Sequence, residues 1–179
     1  MKFEPTPIAG VEVITPQPHG DQRGFFERRF CSREFQAAGL PVHIHQINRS
    51  LSAFLGTVRG LHFQIPPMSE LKIVQCFRGG VFDVAVDLRK DSPTYLQWHA
   101  EVLDEKNGKA LVIPHGCAHG FQALSDNTEV IYFTDQFYSP VHERTLNHAD
   151  SIIGIPWPLD ITVVSEKDKA APFFGELNY

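Results

Sequence analysis

Short, largely apolar segments, separated by turn residues, fill the middle of this chain and constrain its fold more than any other feature. Turns at Arg78-Gly79-Gly80, Asp91-Ser92-Pro93 and Asn107-Gly108 separate these segments at roughly hairpin spacing. The predicted strands are Leu71–Phe77, Val81–Leu88, Leu96–Leu103, Ala110–Ile113, Gly120–Leu124 and Val130–Thr134. Many short strands with only one good helix predict an all-β antiparallel sandwich or barrel.

The flanking segments add few elements. Val11–Thr15 alternates and then stops at prolines, which predicts an opening strand at a sheet edge. Ser32–Leu40 predicts a short helix, with its first residue as the N-cap and Gly39 as its stop. Val42–Ile47 alternates again. The tail from Asp150 onward contains several prolines, and we expect it to pack irregularly over one barrel mouth.

Length and composition exclude several classes of protein. A chain of 179 residues favours one domain spanning residues 1–179. No apolar run approaches the roughly 20 residues of a membrane span, and the N-terminus lacks the apolar stretch of a signal peptide. We therefore expect a cytoplasmic protein without membrane contact. A net charge of -5 argues against nucleic-acid binding but allows a small anionic ligand held by local cations. Three cysteines without a CxxC pair predict free thiols.

The segment Val58–Gln64 combines a cation, a glycine and a histidine in an apolar run. In a regular strand, Arg59 would face one side and His62 the other. Gly60 indicates that another backbone or a ligand approaches closely. Taken alone, the segment is typical of a half-buried strand whose histidine is merely hydrogen-bonded.

Two residues on later strands change this interpretation. Lys72 stands among apolar neighbours, where a lysine either extends to solvent or points into a polar cavity. Tyr132 is on a similar apolar strand and is either a core residue or a site residue. A histidine is suited to proton transfer at neutral pH. Base, cation and phenol in one small barrel would form a site that removes a proton next to a carbonyl.

Two other segments carry candidate binding groups. Around Asp21–Phe30 a turn leads into an aromatic strand with three arginines. This segment is either a solvated edge strand or a place where Arg23 meets an anion and Phe25 or Phe26 stacks on a ring. His43 and His45 form a His-x-His pair that suits a metal or a polar ligand, or that simply lies at the surface.

The segment Gly108–His119, with Pro-x-Gly before its histidine, resembles the second motif of the cupins. Cupins are double-stranded β-helix (jelly-roll) barrels, so the resemblance implies an all-β, cupin-like barrel with a few short helices. Many cupins bind a metal through a His-x-His pair in their first motif together with the histidine of the second. Here Gln64 stands where the second histidine of that pair would be. His62 and His119 alone make a poor transition-metal site, so we predict a metal-free barrel.

A closer resemblance covers nearly the whole chain in order. The motifs that carry it are Asp21-x-Arg23-Gly24-x-Phe26, Gln46-x-Asn48-x-Ser50, Arg59-Gly60-Leu61-His62-Phe63-Gln64, Lys72, Phe82–Arg89, Ser92-Pro93-Thr94, Ala118-His119-Gly120-Phe121, Tyr132, Tyr138-Ser139-Pro140, Glu143-Arg144, Gly154–Pro158 and Ser165-Glu166-Lys167-Asp168. In these motifs the chain resembles the dTDP-4-dehydrorhamnose 3,5-epimerase family.

The resemblance implies inversion at C3 and C5 of a 4-keto-6-deoxy sugar carried on a nucleoside diphosphate, without a cofactor. By the family pattern, His62 is the general base and Asp168 orients it. Lys72 stabilises the enolate oxygen, and Tyr132 returns a proton from the opposite face. Charge that develops on an oxygen is best met by a fixed cation shielded from water.

The resemblance also implies a set of substrate-binding residues and a homodimer that exchanges N-terminal strands. The expected substrate-binding residues are Arg23, Phe26, Gln46, Asn48, Arg59, His119 and Tyr138. In such a dimer, Arg23 and Phe26 would serve the neighbouring chain's pocket. Departures from the family pattern at Cys117, Gln136, Phe137 and Asn147-His148-Ala149 leave the nucleotide and the sugar open.

The sequence also allows two alternatives to an epimerase that acts at both C3 and C5. One is a branch of the family that inverts only C3 or only C5, or that acts on another nucleotide-activated keto-sugar. The other is a cupin binding module or a metal-dependent oxygenase.

Overall fold

Two antiparallel sheets face each other and enclose the barrel. The computed structural model describes residues 1–40 and 43–177. The strands are β1 (Lys2–Pro5), β2 (Glu12–Thr15), β3 (His19–Asp21), β4 (Gly24–Phe26), β5 (Gln46–Ser52), β6 (Val58–Gln64), β7 (Lys72–Arg78), β8 (Gly80–Asp87), β9 (Trp98–Asp104), β10 (Ala110–Ile113), β11 (Cys117–Ala123), β12 (Thr128–Thr134) and β13 (Glu143–Thr145). A large sheet has the order β1-β2-β10-β7-β12-β5, and a small sheet has the order β13-β6-β11-β8-β9. The predicted all-β, cupin-like jelly-roll barrel is confirmed.

Three apolar clusters explain why the central strands are buried on both faces. One cluster fills the space between the sheets and includes Val74, Val81, Leu103 and Leu111. A second covers the outer face of the large sheet, where α1 (Ser32–Ala37) inserts the fully buried Phe35. A third lies on the outer face of the small sheet and is covered by apolar residues of the tail. Covering both faces accounts for the nearly continuous apolar sequence of these strands.

The ends of the predicted elements needed correction. The opening strand exists as β2, but it is not at an edge, because β1 pairs with its outer side. The helix begins at Ser32, so Ser32 is its first residue and not its N-cap. Cys31 holds the N-cap position with an extended backbone and no side-chain cap. Gly39 follows the helix with a φ of +75°, a conformation that glycine adopts without strain.

The predicted alternation of faces along β6 was wrong at Arg59, which was expected on the face opposite to His62. In the pairing of β6 with β11, His62 lies opposite His119, whereas Arg59 lies opposite Phe121. Two residues of β6 therefore oppose one residue of β11, and this bulge turns Arg59 and His62 toward the same side. Gly60 makes the close approach possible, because a Cβ atom at this position would lie only 2.6 Å from Gly120 Cα. The expectation that another backbone approaches Gly60 is confirmed.

The N-terminal arginine-rich segment forms only a small hairpin. Within the described residues, β3 and β4 pair with each other and with neither of the two main sheets. The predicted strand Val42–Ile47 begins only at Gln46, and Pro41 and Val42 lie outside the described residues.

Between residues 150 and 177, the tail contains α2 (Glu166–Lys169) and a 3-10 turn at Phe174–Glu176 and is otherwise irregular, as expected. No helix in residues 1–40 and 43–177 has the length and apolarity needed to cross a membrane. The three cysteines are free thiols, as predicted.

Candidate active site

One cavity of about 870 Å³ opens between the two sheets, and residues of the tail complete its wall. Except for Arg23 and Phe26, every predicted site residue lines it: Gln46, Asn48, Arg59, His62, Lys72, His119, Tyr132, Tyr138 and Asp168. Arg59, His62 and His119 come from the small sheet, whereas Lys72 and Tyr132 come from the large sheet. The cavity therefore has an imidazole on one wall and an ammonium and a phenol on the other.

His62 forms a close pair with Asp168. The distance from His62 Nε2 to Asp168 Oδ1 is 2.8 Å, and the second carboxylate oxygen accepts the Gly60 N–H at 3.1 Å. The Asp168 side chain is 4% exposed, whereas that of His62 is 31% exposed. Burial alone would raise the pKa of Asp168, but its hydrogen bonds and the His62 ring lower that pKa below the usual value. An ionised carboxylate only accepts, so Nε2 carries the proton and Nδ1 remains the basic nitrogen.

Asp168 is the third residue of the short helix α2, and this helix places it at the cavity. Ser165 is the N-cap of α2, and its hydroxyl accepts the Asp168 N–H at 3.1 Å. Main-chain hydrogen bonds also join the tail to the small sheet. For example, Val58 N donates to Val163 O. Packing thus joins a residue at the end of the chain to the central strand.

Lys72 does not extend to solvent. It is 8% exposed, and its ammonium lies 3.0 Å from Glu70 Oε1 and 3.5 Å from the His62 carbonyl oxygen. Glu70 also lines the cavity, and both side chains of this ion pair are almost completely buried. A buried ammonium needs such a partner, because removing an unpaired charge from water is very costly.

Tyr132 combines both of the interpretations left open by the sequence. Its ring packs against the interior apolar cluster, and the residue also lines the cavity. It lies opposite Asn48 on β5 and Val74 on β7. Burial raises the pKa of Tyr132, and the nearby Glu70 carboxylate raises it further. The phenol is therefore protonated at neutral pH and is able to donate a proton.

His119 forms a second histidine–carboxylate pair. Its Nε2 atom lies 2.8 Å from Oδ1 of Asp83, whose side chain is fully buried. Among the described residues, Asp83 Oδ2 has no hydrogen-bond partner. Burial raises the pKa of Asp83 in spite of the opposing effect of His119.

Hydrogen bonds and an ion pair connect the side chains around Tyr138 at the cavity wall. The Tyr138 hydroxyl donates to Glu143 Oε2 at 2.9 Å, and Lys167 Nζ lies 2.5 Å from the same oxygen. Gln46 Oε1 accepts the Tyr138 N–H at 2.7 Å. Arg59 donates to the Leu51 carbonyl at 2.9 Å. These contacts hold Tyr138 and Arg59 at the cavity.

The sequence did not single out several residues of the cavity, namely Glu70, Glu143, Ser165 and Lys167. The last three are within motifs quoted for the resemblance, but nothing in the sequence indicates that Glu143 and Lys167 meet. Glu70 precedes Lys72 by two residues, the spacing of one strand face, which is the signal that could have identified it.

Arg23 and Phe26 lie apart from the cavity formed by the described residues of the chain. They belong to the β3–β4 hairpin, where Phe25 is 67% and Phe26 66% exposed. Arg23 pairs with Asp21 at 2.5 Å, and its side chain is 84% exposed. This hairpin therefore presents a cation and two aromatic rings to the outside.

The remaining histidine pair and Gln64 have ordinary contacts. His43 is exposed, and the His45 ring packs edge-on against Phe137. The Gln64 amide donates to the Met68 and Phe137 carbonyls and accepts the Ser139 N–H. Across residues 1–40 and 43–177, there is no group of three or more potential ligands from histidine, cysteine, aspartate and glutamate. The metal-free barrel stays a prediction.

Comparisons with known proteins give matches over nearly the whole chain. The family profile for dTDP-4-dehydrorhamnose 3,5-epimerase matches residues 5–176. The dTDP-4-dehydrorhamnose 3,5-epimerase of Sinorhizobium fredii is 46% identical over 178 residues, which cover 99% of this chain and 91% of the relative. The dTDP-4-dehydrorhamnose 3-epimerase of Streptomyces niveus is 38% identical over 98% of this chain and 85% of its own length.

A solved structure is similar over almost the whole chain. The dTDP-6-deoxy-D-glucose-3,5-epimerase of Legionella pneumophila, in complex with dTDP-4-keto-L-rhamnose, has a TM-score of 0.93 at 35% identity. The match covers 99% of this chain and 94% of that chain. The profile, the relatives and the fold together show that the chain belongs to the dTDP-4-dehydrorhamnose 3,5-epimerase family of isomerases.

Proposed function

We propose that this protein inverts C3 and C5 of a nucleoside-diphosphate 4-keto-6-deoxy sugar, converting dTDP-4-dehydro-6-deoxyglucose into dTDP-4-dehydrorhamnose without a cofactor. The observation that carries the proposal is the convergence of three groups on one cavity. The His62–Asp168 pair, the Lys72 ammonium and the Tyr132 phenol all line it. The family membership and the named activities of the relatives support the same reaction.

His62 is the general base in this proposal. With its Nε2 proton held by ionised Asp168, Nδ1 accepts the proton from the carbon beside the C4 carbonyl. The positive charge then formed on the imidazole lies beside a carboxylate that is already ionised. Asp168 thus orients the ring and stabilises its charged form.

Lys72 stabilises the enolate oxygen that forms when the carbon loses its proton. Its ammonium is held inside the cavity by Glu70 and by the His62 carbonyl. A cation fixed in a water-poor cavity opposes negative charge more strongly than one in bulk water. Negative charge develops on the C4 oxygen only during the reaction, so the interaction with Lys72 grows toward the transition state.

Tyr132 returns the proton. It belongs to the large sheet, whereas His62 belongs to the small sheet. A sugar ring held between the sheets would lose its proton on one face and regain one on the other, and this difference inverts the carbon. The raised pKa of Tyr132 keeps the proton available at neutral pH.

The remaining predicted residues hold the nucleotide in this proposal. Arg59 lies on the cavity wall and would meet the diphosphate. Tyr138 would contact the base. Gln46, Asn48 and His119 line the same space and would contact the sugar or the phosphates.

The exposed β3–β4 hairpin supports the proposal of a homodimer with exchanged N-terminal strands. Arg23 and Phe26 are remote from their own cavity, so they would contribute to the cavity of the second copy. Co-expression of His62→Ala with Arg23→Ala chains tests this arrangement. Exchange between copies would restore about a quarter of wild-type activity, because half of the dimers are mixed and each has one intact site. If each chain used its own Arg23, mixing would restore nothing.

Isotope exchange tests the reaction itself. The protein is incubated with dTDP-4-keto-6-deoxyglucose in deuterated water, and the label is located by NMR. We expect deuterium at both C3 and C5. Label at C3 alone would instead support the 3-epimerase alternative, which is the named activity of the Streptomyces niveus relative. No label at either carbon would contradict the proposal for this substrate.

The Tyr132→Phe variant separates removal of the proton from its return. The base is intact in this variant, so some exchange should continue, whereas inversion should be blocked or redirected. Inversion of both carbons at the wild-type rate would show that Tyr132 is not the acid.

A further inference from the structure

The helix that carries Asp168 cannot hold its own position. α2 contains only four residues, and an isolated helix of that length is unstable in water. Its last carbonyl groups also lack partners within the helix. Ser165 satisfies the N-terminal end, as described above. At the C-terminal end, the Glu166 and Asp168 carbonyls accept the N–H groups of Ala170 and Ala171, whereas the Lys169 carbonyl has its partner elsewhere in the protein.

Asn147 supplies that partner. Its Nδ2 atom donates to the Lys169 carbonyl at 3.3 Å and to the Ala171 carbonyl at 3.0 Å. Its main-chain N–H donates to the Pro172 carbonyl at 2.9 Å. Its Oδ1 atom accepts the Ala149 N–H at 3.0 Å. Asn147 is 5% exposed, so these bonds are shielded from water. In the part of the chain that the structure describes, it is not one of the residues that line the cavity, so it would act on the reaction through other residues.

The residues before Asn147 are joined to the strand of the proposed base. Leu146 and Leu61 exchange main-chain hydrogen bonds of 3.0 Å and 2.9 Å. Thr145 lies opposite His62 in the pairing of β13 with β6. The segment Thr145–Asn147 therefore contacts β6 beside the imidazole and also holds the end of the helix that carries the carboxylate.

We propose that Asn147 is a positioning residue for the reaction. It sets the place of α2 relative to β6 and thereby keeps the Asp168 carboxylate in hydrogen-bond contact with His62. The proposal rests on the role given to Asp168 in the proposed function. Loss of the amide would let α2 shift, and a displacement of about 1 Å in a catalytic group can cost about 100-fold in rate.

The test compares Asn147→Leu with Gln122→Leu. Gln122 is a matched control because its buried amide also binds the main chain of the tail, donating to the Leu159 carbonyl at 2.8 Å and accepting the Leu159 N–H at 3.0 Å. Leu159 precedes α2 and is not part of the helix. Both variants lose a buried amide that anchors the tail, but only Asn147→Leu releases the helix of Asp168.

We expect Asn147→Leu to lower the rate of deuterium exchange by roughly 10- to 100-fold and to leave dTDP affinity within about twofold. Gln122→Leu should change the melting temperature similarly but keep exchange within about threefold of wild type. Asn147→Ser retains one donor, should exchange at an intermediate rate, and serves as the working variant if the leucine variant does not fold. Equal losses of exchange in the Asn147 and Gln122 variants would overturn the proposal.

A double variant separates positioning from general destabilisation. In the Asp168→Asn background, Asn147→Leu should cause no further loss of exchange, because its effect passes through the carboxylate. Additive losses would contradict the proposal. If Asp168→Asn alone exchanged at the wild-type rate, the role of Asp168 in the proposed function would fail. If Asp168→Asn is slow but the Asn147 variants are normal, only the present inference fails.

Discussion

Two histidine–carboxylate pairs, His62 with Asp168 and His119 with Asp83, differ in the surroundings of the carboxylate, although the two histidines lie opposite each other on β6 and β11. Both N–O distances are 2.8 Å. Asp168 comes from the tail and also accepts a main-chain N–H, and its pKa is lowered. Asp83 comes from within the small sheet, has an oxygen without a partner among the described residues, and its pKa is raised.

The difference shows how the same pair of residue types, a histidine and an aspartate, can serve in proton transfer at one position and in binding at another. A carboxylate that stays ionised keeps the imidazole in one tautomer and stabilises it when it becomes charged. A carboxyl group that burial drives toward its neutral form gives less of this electrostatic support. This contrast supports the proposal that His62 is the base and that His119 has a binding role. The predictions below test this assignment, beginning with the largest effect.

The largest effect is expected for the two histidines themselves. His62→Ala should lower exchange at both carbons by roughly 1,000-fold or more, within the range that acid–base catalysis supplies. His119→Ala should mainly weaken substrate binding and retain most of the exchange at saturating substrate. Exchange rates and KM measured by NMR in deuterated water decide between them. Equal losses of exchange at saturation would remove the distinction between the pairs.

Substitution of the two carboxylates should show the same contrast in exchange rate as substitution of the two histidines, with smaller effects. Asp168→Asn should slow exchange roughly 100-fold, because a neutral amide neither stabilises the imidazolium nor selects its tautomer. Asp83→Asn should slow exchange less than tenfold. A larger loss for Asp83→Asn would mean that the second pair takes part in proton transfer.

The pH dependence of stability should have opposite signs for these two carboxylates. The lowered pKa of Asp168 stabilises the fold above the unfolded value of about 3.9, and this stability is lost as the pH falls through the folded value. Asp168→Asn should thus cost ~1–3 kcal/mol at neutral pH and less in acid.

The raised pKa of Asp83 has the reverse effect. Its favourable contribution is present below the unfolded value and disappears as the pH rises through the folded value. Asp83→Asn should therefore be no less stable than wild type at neutral pH, with any gain disappearing in acid. The measurement is the free energy of unfolding of both variants and of wild type, determined by urea unfolding at several pH values from acid to neutral. Parallel pH curves for the two variants would contradict the contrast.

The smallest effect is expected from metal removal. If the cavity uses His62 only as a base, dialysis against EDTA should leave exchange within about twofold, and added Mn²⁺ or Fe²⁺ should not raise it. Stoichiometric bound iron or manganese with ligands at His62 and His119 would instead support the metal-dependent alternative.

Much of the fold and of the candidate site could be predicted from local patterns. The strands between Leu71 and Thr134 follow from short apolar runs and turn residues, and most predicted site residues do meet in one cavity. The bulge at Gly60 could not be predicted, because it depends on how β6 pairs with β11. The ion pair of Lys72 with Glu70 also depends on burial by the surrounding strands.

By itself, the sequence determined the β class, the approximate strands and the residue types available for chemistry, because these follow from local periodicity and from side-chain identity. Only the tertiary structure decided which groups meet. His62 and Asp168 are 106 positions apart, and packing of the tail on the small sheet brings them to 2.8 Å. Packing also left the β3–β4 hairpin away from its own cavity, since the position of a hairpin depends on contacts that local sequence does not specify.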